Sequence, residues 1–393
     1  MTNFNLGRSG VGTAALIALL AGCGGSQGQI GGLRGSNSIL PRVLPDVGVE
    51  YAYVGNYGDN NISGYKISSD GFLAPVKGSP FTAGTGPTAM AVDPTGKFAY
   101  AANTGTSSAG NISAYSIDAS TGALTAVKGS PFSAGKEPSG VAVDPTGKFA
   151  YVSNYGDNNV DAYTIDATTG ALTVIKGSPF ATGEEPEYVA IDPKGKFAYV
   201  PNYDSNSVSA YTIESDGALK PVKGSPFAAG SETSGVTVNP SGKFAYAANY
   251  GSNNVSAYTI ESSGALKPVK GSPFTAGTEP TNIVVDPNGK YAYAVNDSSG
   301  NVSAYAVNAT TGALTAVKGS PFTAGTEPEY VAVDPAGKFA YVPNVGSDNI
   351  SAYAIESTGA LKALKGSPFT GLKEPAPIVI CRVAAGKCIP PPL

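Results

Sequence analysis

Two dipeptides, Glu187-Tyr188 and Glu329-Tyr330, are the best candidates for chemistry in this 393-residue chain. A carboxylate can take a proton from water, and a phenol can donate a hydrogen bond to a developing oxyanion. The pairs lie in almost identical segments, EPEYVAIDPKGKFAYVPN (185–202) and EPEYVAVDPAGKFAYVPN (327–344). The bland alternative is a pair of channel-lining tyrosines inherited together in one duplication. A second group is Glu137, Glu185, Glu232, Glu279, Glu327 and Glu374, which occupy equivalent positions, with Gly86 as the exception. Six carboxylates around one mouth could hold Ca²⁺, which favours several oxygen ligands, or a cationic partner. They could equally be one exposed glutamate copied six times, since like charges about 9 Å apart repel by only about 0.5 kcal/mol in water.

Other chemistries are excluded by composition. The chain has no histidine, so Ser-His-Asp, Cys-His and HExxH arrangements cannot form. Its arginines are Arg8, Arg34, Arg42 and Arg382, three near the start and one near the end, which leaves no bidentate clamp for a sugar phosphate. With no glycine-rich phosphate loop and no CxxC pair, no cofactor is expected. A formal charge of −4 argues against a nucleic-acid partner.

The elements that must position these residues are repeats. KGSPF begins at Lys77, Lys128, Lys176, Lys223, Lys270, Lys318 and Lys365, and Tyr-x-x-Asn recurs as often. A period near 47, rich in Gly, Pro, Asn, Ser and Thr, points to propeller blades of four short strands. In the unit from Ser139 the strands read SGVAVD (139–144), KFAYVSN (148–154), NVDAYTI (159–165) and ALTVI (171–175). The first two are apolar on both faces, as a blade sandwiched between neighbours requires. The fold expected is therefore all-β: a seven-bladed β-propeller with four antiparallel strands per blade. KGSPF would mark the exit of the outer strand, with its Phe plugging the gap between blades. The first unit lacks a leading strand, and EPAPIVIC (374–381) follows the last KGSPF, so the C-terminal strand should complete the first blade. Three blades in seven then place the two Glu-Tyr pairs nearly opposite each other across the channel.

The ends carry separate signals. Residues 1–22 combine Arg8, an apolar run from Val11 to Leu20 and LAGC ending at Cys23. The run is too short to span a bilayer, and LAGC matches a bacterial lipobox, so a lipoprotein signal peptide cleaved before a lipidated Cys23 is expected. Residues 23–47 read as a flexible tether, 48–389 as the propeller and 390–393 as a tail. Gly24 after the cysteine favours the outer membrane, facing the periplasm or the cell surface. Outside the cytosol, Cys381 and Cys388 are expected to form a disulfide.

Repeats of the form P-x-x-V-A-V-D-P-x-G-K-F-A-Y-V-x-N followed by G-S-P-F resemble the seven-bladed propellers of the lactonase family, which includes 6-phosphogluconolactonase-like members and overlaps with YVTN surface repeats. The resemblance implies a lactone-opening hydrolase using His, Glu and Arg around the axial opening, and this sequence departs from that set. Two functions follow. One is a lipid-anchored, non-catalytic scaffold, expected to be monomeric, that binds a protein or glycan on its loop face. The other is a hydrolase of non-phosphorylated lactones using water activated by Glu187 or Glu329.

Overall fold

A computed structural model describes residues 48–106, 109–384 and 387–389. The segments read above as signal peptide, lipidated Cys23, tether and tail lie outside the described residues.

Seven antiparallel sheets follow one another, each with four strands named A to D from the axis outward. In the third blade they are Pro138–Val143, Phe149–Asn154, Asn159–Ile165 and Leu172–Val174, close to the spans read from sequence. Each blade adds a fifth strand of two residues that the sequence did not announce. It begins at the Phe of KGSPF and pairs with strand C, as Phe180 does with Val160. Between strand D and this short strand, one strand C amide would go unmatched. The KGSPF serine supplies the missing acceptor: Ala162 N–H donates to Ser178 Oγ at 3.0 Å, and the other six blades repeat the contact. The motif therefore completes the ladder of its own blade.

The core is seven layers, each built from two neighbouring blades. The KGSPF phenylalanines pack into these layers, as expected for wedges; Phe132, for example, lies against the layer between blades two and three. One tyrosine of each strand B is fully buried and donates its hydroxyl to a glycine carbonyl in the next blade's C–D loop, as Tyr100 does to Gly170 at 3.0 Å. Glycine is required there: Gly170 has φ +75°, and a Cβ would lie 2.4 Å from the Phe98 ring. Tyr341 makes the same bond to Gly71 at 2.9 Å and so joins blade seven to blade one.

Closure follows the expected route. Strand A of the first blade is Pro375–Ala384, paired with Glu50–Asn56 through Tyr51↔Cys381 and Tyr53↔Val379. Ile378 and Ile380 are 2% exposed and Cys381 is fully buried. Burial of each isoleucine contributes roughly 1.5–3 kcal/mol. A further strand, Lys387–Ile389, folds back with Cys388 opposite Val383. The Cys388 side chain lies outside the described residues.

Candidate functional site

Strand A is six residues long in blades two, three, five and six, but shrinks to Ala190–Ile191 in blade four and Ala332–Val333 in blade seven. Those two blades carry Glu187-Tyr188 and Glu329-Tyr330. Strand B explains the loss. Pro201 O accepts from Glu187 N–H at 3.1 Å and Pro343 O from Glu329 N–H at 3.4 Å, so strand A lies on that side. A strand residue points its N–H and C=O to the same neighbour, and proline has no N–H to give. The ladder is reduced to isolated bridges at Pro186↔Asn202 and Pro328↔Asn344, and the segments between are released toward the axis.

A second contact is also absent there. Thr88, Ser139, Ser234 and Thr281, at the register position of Glu187, bond across to backbone carbonyls of the following blade's inner strand, as Ser139 Oγ does to Pro186 O at 2.7 Å. Glutamate replaces that clasp in blades four and seven. Gly140 leaves room for the displaced segment, since a Cβ there would lie 2.7 Å from both Glu187 O and Tyr188 Cα.

The two tyrosines meet across the axis. Their ring centroids are 5.4 Å apart at 88°, an edge-to-face contact, so the expected opposition is observed. Glu187 and Glu329 are half-buried. Burial, then the charge of Glu329 and Glu185, raises Glu187 to about 8. Burial, then Asp297 and Glu327, raises Glu329 to about 7. The repulsion between the two is mutual: once Glu329 ionises, Glu187 holds its proton more tightly. Both phenols are pushed up by burial and stay protonated donors.

The six glutamates share a backbone conformation. Every member sits in the left-handed region, from φ 48° at Glu374 to 58° at Glu279, and Gly86 has φ 62°. That conformation disfavours side chains, and local bonds hold it. Glu185 N–H donates to Asn158 Oδ1 of the preceding blade at 2.9 Å, and Glu185 O accepts from Tyr203 N–H at 2.9 Å. The side chains of Glu185 and Glu232 accept from Tyr155 at 2.6 Å and Tyr203 at 3.2 Å. Glu137 and Glu327 are exposed. Among the described residues no three carboxylates or cysteines converge to hold a metal.

Sequence reasoning missed the rest of the mouth. Tyr57, Tyr155, Tyr203 and Tyr250 directly follow strand B, and Tyr203 and Tyr250 stack obliquely at 5.9 Å. Asp297 takes that position in blade six, and burial with Glu327 and Glu279 raises it to about 6. Its signal was a single Asp where four other units carry Tyr.

Comparison with known proteins supports the architecture. Residues 46–134 and 221–327 match the family model described as lactonase, 7-bladed beta-propeller. A candidate 6-phosphogluconolactonase of Bacteroides uniformis superposes with TM-score 0.73 at 22% identity, covering 84% of this chain and 99% of that one. One from Bacteroides fragilis gives 0.74 at 21%, covering 86% and 99%. The periplasmic gluconolactonase of Pseudomonas aeruginosa gives 0.72 at 20%, covering 86% and 100%. No curated protein matches the sequence.

Proposed function

From the premise that this chain is a seven-bladed β-propeller of the lactonase family, we propose that it opens a non-phosphorylated lactone by adding water. The observation that carries this is the edge-to-face contact of Tyr188 and Tyr330, which brings together two protonated phenols and two glutamates raised to about 8 and about 7. Glu329, the more readily ionised, takes a proton from water as its oxygen attacks the lactone carbonyl carbon. Tyr188 and Tyr330 are the donors available to the oxyanion. Collapse breaks the ring C–O bond, and Glu187 protonates the departing oxygen. The product is the hydroxy acid, and the proton on Glu329 restores the pair. A phosphorylated substrate fits poorly: Lys136 and Lys373 near the mouth are tied to Asp157 at 3.9 Å and Asp348 at 3.2 Å.

The test is turnover of a panel of neutral lactones by wild type, Glu187→Gln, Glu329→Gln and the double variant. The expected loss is at least a hundredfold in kcat for each single variant. Equal rates in wild type and the double variant would end the catalytic reading. A non-catalytic scaffold binding a protein or glycan is the second reading, favoured by the tyrosine rim at Tyr57, Tyr155, Tyr203 and Tyr250. Binding retained by the double variant in the absence of any turnover supports it.

Anchoring at Cys23 to the outer membrane belongs to the same proposal, motivated by LAGC at residues 20–23. Labelling with a fatty-acid analogue should be lost in Cys23→Ala. A Cys381–Cys388 bridge is proposed from the register, which sets Cys388 opposite Val383, two residues beyond Cys381; thiol alkylation before and after reduction tests it by mass.

A further inference from the structure

We infer that the ligand of this mouth carries a positive charge, as an organic ammonium group seated between Glu187 and Glu329 against Tyr188 and Tyr330. The inference rests on the site proposed above and adds the class of molecule that enters it. The first observation is a contrast within the chain. Glu50, at the other end of the blades, has Arg382 and Lys338 among the charges acting on it. Glu187, Glu329 and Asp297 answer only to burial and to other carboxylates.

The second observation is independent of charge. Asn282 is 6% exposed and its Oδ1 has no partner. It holds in blade six the inner-strand position that Tyr188 and Tyr330 hold in blades four and seven, and the preceding residue, Thr281, bonds to Glu329 O at 3.0 Å. Asp297 Oδ1 is likewise sealed and unmatched. Among the described residues every buried side-chain atom without a partner is an acceptor oxygen, so the unmet demand is for donors. An ammonium group supplies donors or charge, and its alkyl carbons suit aromatic walls, which attract cations through their faces. A bare metal ion fits less well, because no three carboxylates converge.

Calorimetric titration of the full chain with choline and with 3,3-dimethylbutan-1-ol, its uncharged isostere, tests the inference. Choline should bind, and the isostere at least tenfold more weakly. Glu187→Gln with Glu329→Gln should weaken choline at least tenfold, while Glu50→Gln leaves it unchanged. Equal affinity for the two probes overturns the inference, as does choline binding that the double variant retains in full. Turnover of a neutral lactone without choline binding sinks the charge assignment alone. Choline binding without turnover of any lactone sinks the hydrolase alone.

Discussion

The glutamate pair is where single atoms decide the outcome. Proposed catalysis needs Glu329 ionised and Glu187 protonated, so kcat/KM should climb as pH passes about 7 and fall beyond about 8. Initial rates from pH 5 to 10 check this, and a flat profile contradicts the assignment. Stability carries the same signature with its own sign. Both carboxyls bind protons more tightly folded than unfolded, so their stabilising contribution is complete below the ordinary glutamate range near 4.3 and is lost as pH rises to about 8. Asp297 and Glu50, raised to about 6 and about 7, add slope in the same direction. Glu187→Gln with Glu329→Gln should therefore melt several degrees above wild type at pH 8.5 and level with it at pH 4.5, as read by scanning calorimetry. A double variant less stable at pH 8.5 would mean the charges are compensated by something else.

At the level of strands, the KGSPF serine and the strand B proline have opposite effects. Ser178→Ala leaves the Ala162 N–H without an acceptor, at a cost of about 1–3 kcal/mol, and should lower Tm by about 2–6 °C. Pro201→Ala restores an N–H facing strand A, so hydrogen exchange at residues 187–189 should slow while blade five is unchanged, and lactone turnover should fall. Much of this level was legible. Period, turn residues and two-sided apolar strands placed four strands per blade, because those signals are local. The two-residue strand was not legible, since it is held by a serine hydroxyl rather than by a hydrophobic pattern. The shortened inner strands could have been found: FAYVPN differs from FAYVSN by one proline, whose missing donor is visible in sequence. Likewise the lone Gly86 among six glutamates marked a left-handed position, which ties those residues to backbone geometry before any ligand.

Over the whole molecule, the ring makes every blade depend on both neighbours, and the sequence disclosed this through its unequal ends. The opposition of the two Glu-Tyr pairs was legible from the repeat count, but not that the Tyr188 and Tyr330 rings touch, because that depends on inner segments from distant units approaching within van der Waals range. The chain runs on from blade seven into Pro375–Ala384, so the break lies inside blade one, where that strand pairs with Glu50–Asn56 from the far end of the sequence; the Tyr341–Gly71 bond and the layer containing Ile378 and Ile380 tie the same blade to blade seven. Removing residues 374–393 exposes the edge of Glu50–Asn56 and uncovers Tyr51, Tyr53 and Ala52, all buried in the closed ring. An unpaired apolar edge of that length is a template for intermolecular pairing. The truncated chain should thus be aggregated or lack a cooperative melt, whereas removal of residues 390–393 alone should leave Tm within about 2 °C of wild type. Size-exclusion chromatography with calorimetry distinguishes the two. A monomeric 1–373 chain melting in one sharp transition would show that six blades and a fragment hold together without the seventh contact, and the opposition of Tyr188 and Tyr330 would then owe nothing to closure.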